Sequence, residues 1–191
     1  MMEIEMPKIS VEESEDRSYC KIVVEPLEKG FGITIGNCLR RTLLSALPGA
    51  AIQGIKFAPS LDVKHEFSTI KGVKEDVTEI ILNLKSIAIK TTTTDIDFTK
   101  IIKISKEGPA VITAGDIEAD AEVEVLNPDQ YICTVESGSI FDVDLTIGRG
   151  RGYKGANYNK TGEISYIAID SIYTPVTKVS YNVENARVGQ N

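Results

Sequence analysis

A lone histidine, His65, and two pairs of like charges, Arg40 with Arg41 and Asp142 with Asp144, are where chemistry would first be sought in this chain of 191 residues. His65 has no second imidazole for a proton relay and no His partner for a metal. Alternation with Val63 and Phe67 gives it the place of a hydrogen-bonded residue on a strand rather than that of a catalytic base. Asp142 and Asp144 share one strand face, and paired carboxylates suit a hard cation such as magnesium. Phe141, Val143 and Leu145 occupy the other face, so a solvated strand surface accounts for the pair without a metal. Gly148-Arg-Gly-Arg-Gly152 could offer N–H groups and guanidinium charge to a phosphate. It lacks the P-loop lysine and the dinucleotide spacing, and it follows a strand instead of opening a helix. A tight turn with Arg149 and Arg151 exposed is the expectation, with a phosphate or RNA contact as the alternative. Gly30-Phe31-Gly32 has no lysine or acidic ribose partner in register, and its glycines suit close approach of another chain. No catalytic residue, cofactor or metal is expected.

The arginine pair calls for a helix to carry it. Gly30 and Gly32 give a flexible approach, Thr34 is the expected N-cap, and Pro48-Gly49 stops the run. At 3.6 residues per turn, Ile35, Leu39, Thr42, Leu43 and Ala46 fall on one side, a core or pairing stripe. Asn37, Arg40, Arg41 and Leu44 fall on the other. Two arginines alone describe a solvated face; Leu44 between them fits a surface that another protein covers, since Arg joins a planar donor fork to an apolar stem.

The remaining elements are mostly strands. Residues 18–25 lead as a strand into this helix, and residues 52–57 open a strand-rich region. Period-two alternation marks Val63, His65 and Phe67; Ile87 and Ile89; Val123 and Val125; and Phe141, Val143, Leu145 and Ile147. Turn chemistry separates them at residues 106–109, 127–129 and 137–139. One helix interrupts, with Val73, Val77, Ile80, Ile81 and Leu84 inward, Glu75, Asp76 and Glu79 outward, and Lys85 at the end where the dipole favours a cation. Strands at 164–169 and 176–183 follow a polar loop.

The block Glu25-Pro-Leu-Glu-Lys-Gly-Phe-Gly-Ile-Thr-Ile-Gly-Asn-Cys-Leu-Arg-Arg-Thr-Leu-Leu-Ser-Ala-Leu-Pro-Gly49 resembles the signature of the bacterial RNA polymerase alpha subunit, N-terminal domain. Further blocks resemble it in the same order: His65-Glu-Phe-Ser-Thr69, Gly72-Val-Lys-Glu-Asp-Val-Thr-Glu-Ile-Ile-Leu-Asn-Leu-Lys85, Arg149-Gly-Arg-Gly-Tyr153, Asp170-Ser-Ile-Tyr-Thr-Pro-Val176 and Tyr181-Asn-Val-Glu-Asn-Ala-Arg-Val188. The resemblance implies an α+β fold in two parts: an alpha/beta dimerisation domain from both ends, 1–50 with 173–191, and a mostly beta domain inserted at 51–172. It implies a non-catalytic scaffold that dimerises with a second alpha subunit and recruits the beta and beta-prime subunits. Phe31, Ile35, Leu39, Leu43 and Ala46 would serve the dimer or the core, Arg40, Arg41 and Leu44 the beta subunit, and Lys85 the beta-prime subunit. The family continues past residue 191 into a second dimerisation helix, a linker and a small DNA-binding domain, so direct DNA binding is not expected of these residues.

Composition agrees with protein partners. A formal net charge of −7 opposes a phosphate backbone. No long apolar run is present, and the acidic start lacks the layout of a secretion signal, so a cytoplasmic protein with no membrane span is expected. Cys20, Cys38 and Cys133 are odd in number and widely spaced, which suggests buried small hydrophobes rather than disulfides or a zinc site.

Overall fold

The structure, a computed structural model, describes residues 6–16, 18–118, 120–163 and 165–186. In chain order these form β1 (Lys8–Glu13), β2 (Cys20–Glu25), α1 (Phe31–Ser45), β3 (Pro48–Phe57), α2 (Val77–Lys85), β4 (Ile89–Thr91), β5 (Thr99–Glu107), β6 (Ala110–Thr113), β7 (Val123–Val125), β8 (Tyr131–Val135), β9 (Ile140–Arg151), β10 (Tyr153–Lys154), β11 (Tyr166–Ala168) and β12 (Ser171–Ile172). The fold class is α+β. The chain divides into two compact units, one holding the residues up to Thr42 and those from Lys178 on, the other Leu43–Thr177.

In the Leu43–Thr177 unit, β9 is the organising strand. Its alternation of Phe141, Val143, Leu145 and Ile147 with polar residues places these four side chains, none more than 1% exposed, on one face. β9 pairs antiparallel with β5 on one edge and β3 on the other, and β3 then pairs with β4 near its start and β11 near its end. β7 closes the far edge of the six-stranded sheet against β4. The inward residues of β3 (Ile52, Ile55, Phe57) and β5 (Ile102, Ile104) meet those of β9 and the apolar stripe of α2 (Val77, Ile80, Leu84) in one core. Each such side chain contributes about 1.5–3 kcal/mol by leaving water. A bulge between Ile52 and Gly54 aims Gln53 at Tyr173, whose hydroxyl accepts from Nε2 at 2.9 Å.

Gly49 shows what the sheet demands of its backbone. A Cβ there would lie 1.8 Å from the Tyr173 carbonyl oxygen, and neither backbone can yield cheaply. Gly49→Ala is expected to cost about 2–3 kcal/mol, seen as a lower urea midpoint, because the register of β3 must shift to admit one methyl group.

The other unit pairs β1 with β2 in register Lys8↔Glu25 to Glu13↔Cys20. α1 belongs to it up to Thr42. Gly36 lets the Tyr181 ring lie against the helix, where a Cβ would come within 2.4 Å of that ring, and Gly32 does the same for Val183. Gly36→Ala is expected to loosen the 178–186 segment, raising amide exchange there roughly tenfold while the β9 amides stay protected.

Several expectations are corrected. α1 begins at Phe31, so Thr34 lies in its first turn and is not the N-cap. Residues 63–67 form no strand: Val63 is buried, but the segment turns, with Ser68 N–H donating to the His65 carbonyl and Val77 N–H to that of Ser68, and no neighbouring strand offers a ladder. Residues 176–183 are also not a strand; Tyr181 and Val183 pack on the glycines of α1 instead of pairing. β1, β5, β6, β8, β10 and β12 are strands beyond those expected, although in β5 Ile102 and Ile104 alternate with Lys103 and Ser105. Cys20 and Cys38 are exposed, and only Cys133 is a buried thiol, pushed up to about 12 by burial.

Candidate partner-binding surfaces

α1 has fifteen residues and none is buried. Phe31 and Leu39 are 52% and 46% exposed, Ile35 and Leu43 are half-buried, and Ala46 lies just past the helix end with its side chain exposed. Arg40 and Arg41 are exposed. Leu44, placed by periodicity on the outward side with them, is half-buried next to Leu43. Among the described residues, then, most of the apolar stripe of this helix faces solvent.

Lys85 ends α2 and does more than face the helix dipole. Its Nζ lies 2.9 Å from Asp170 Oδ2, and Asp170 Oδ1 accepts from Ala156 N–H at 2.8 Å. The hydrogen bond from Lys85 holds the Asp170 carboxyl below its ordinary range, with the Ala156 N–H adding to it. Lys85 and Asp170 are 25% and 33% exposed, so the pair closes onto the surface as a fixed polar feature. Spacing could not join residues 85 apart in sequence, though both stand in blocks that carry the family resemblance.

The position of α2, and therefore of Lys85, depends on Glu75, which helical periodicity places outward. Glu75 is 9% exposed. Its carboxylate accepts from the Tyr131 hydroxyl and, at 2.7 Å, from Thr134 N–H, while Lys74 N–H donates to the Thr134 carbonyl at 3.0 Å. Burial alone raises the Glu75 carboxyl, but the bonds from Tyr131 and Thr134 outweigh it and the net shift is downward. One residue on, Asp76 caps α2 by accepting from Glu79 N–H at 2.7 Å. The strand β8 thus clamps the start of the helix whose last residue is Lys85.

The residues weighed for catalysis are otherwise engaged. His65 is exposed, with Nδ1 3.3 Å from Ser68 Oγ. Asp142 pairs with Lys103 Nζ at 3.0 Å, so a lysine supplies the cation beside that carboxylate. Among the described residues no group of three or more His, Cys, Asp or Glu side chains could hold a metal ion. Arg149 and Arg151 belong to β9 and do not form a turn; Arg151 is exposed, while Arg149 is half-buried with Nη1 sealed from solvent.

A family model described as the RNA polymerase Rpb3/RpoA insert domain matches residues 50–174. The chain is 53% identical over 193 residues to the DNA-directed RNA polymerase subunit alpha of Desulforamulus reducens, covering 100% of this chain and 59% of that protein. The chain belongs to the RNA polymerase alpha subunit family. The subunit of the same name from Alkaliphilus metalliredigens is 55% identical, again over 100% of this chain and 59% of that protein. With Desulfitobacterium hafniense the figures are 53% identity, 99% and 59%. The chain therefore spans about three-fifths of the length of these family members. Among the described residues no helix is long and apolar enough to cross a membrane.

Proposed function

We propose that this chain is the assembly portion of an alpha subunit: a non-catalytic cytoplasmic scaffold that dimerises with a second copy and recruits the beta and beta-prime subunits of RNA polymerase. The supporting observation is α1, none of whose residues is fully covered among the described residues and whose Phe31, Leu39, Arg40 and Arg41 stand exposed. Phe31, Ile35, Leu39, Leu43 and Ala46 supply the apolar side for the second alpha subunit or the core. Arg40, Arg41 and Leu44 meet the beta subunit, and Lys85, held by Asp170, meets beta-prime. In this reading residues 1–50 and 173–191 form the dimerisation domain and 51–172 the insert. A two-fold contact through one side of a helix leaves the other for a larger, asymmetric partner.

Light scattering on the eluting chain tests the first half: a dimer that Leu39→Glu converts to monomer is expected, and a monomeric wild type at all concentrations would remove dimerisation from the proposal. Lys85→Ala is expected to weaken beta-prime capture by roughly two- to fivefold, the worth of a partly exposed ion pair, in a co-purification titration. Capture of beta-prime unchanged by that substitution would take Lys85 out of the interface.

A further inference from the structure

We draw no further inference here: the strongest candidate, the exposed apolar face of the β1–β2 hairpin that carries Ile9, Val11 and Ile22, has nothing in the structure to show what covers it.

Discussion

Arg41→Ala is expected to lower capture of the beta subunit by roughly thirtyfold, about 2 kcal/mol, while the free energy of unfolding falls by no more than about 1 kcal/mol, the worth of a surface contact. Arg41 is exposed, so its removal leaves no core cavity. In a complex, the guanidinium combines a planar set of donors with an apolar stem, and losing it strands whichever partner groups it desolvates. Arg41→Lys keeps the charge and loses the fork, and an intermediate loss would separate geometry from charge. Leu44 is a poorer probe because it is half-buried, and its truncation would mix packing with binding. The measurement is co-purification of beta with tagged chain over a concentration series; full retention of beta by Arg41→Ala would reject this face as its contact.

Glu75→Ala is expected to destabilise the Leu43–Thr177 unit by about 2–4 kcal/mol in urea at pH 7. The substitution leaves Thr134 N–H and the Tyr131 hydroxyl without their acceptor in a place that is 9% exposed. Glu75→Gln retains one acceptor oxygen and should lose about half as much. The pH dependence has a defined sign. The folded-state pKa lies below the ordinary 4.5, so the carboxylate's contribution is complete above that value and is lost as pH falls through the lower, folded-state one. The gap in stability between wild type and Glu75→Gln should therefore shrink as pH drops below about 4.5, and a gap of constant size down to pH 3 would refute the charged network. Because Glu75 fixes the start of α2, the same substitution should also weaken whatever Lys85 contacts.

These two residues mark opposite limits of what local pattern can convey. Arg41 is a candidate on local pattern, because a helical repeat, a Pro-Gly stop and an outward leucine are all contained within a few turns. Glu75 looked like an outward helical acid because its neighbours, Asp76 and Glu79, are polar too; β8, which covers it, lies more than fifty residues away in sequence. Alternation located β9 because Phe141, Val143, Leu145 and Ile147 line one buried face of it. The same period at Val63, His65 and Phe67 was misleading, since only Val63 is buried and no strand lies alongside to accept a ladder. At residues 176–183 the apolar side chains suit a strand by pattern, but Tyr181 and Val183 serve a helix whose glycines admit a ring and a valine.

From its residues alone, the chain declared its family, its α+β class, an acidic character suited to protein partners, and a helix with apolar and cationic sides. Those properties are local: they reside in contiguous motifs, in charge totals and in short-period repeats. Tertiary structure alone decided that Lys85 is bound to Asp170, that Glu75 is interior and that Arg149 belongs to a strand. Each of these depends on which distant backbone segment comes to lie within hydrogen-bonding reach, and a sum of many weak packing terms over the whole chain fixes that, not the type of any one residue.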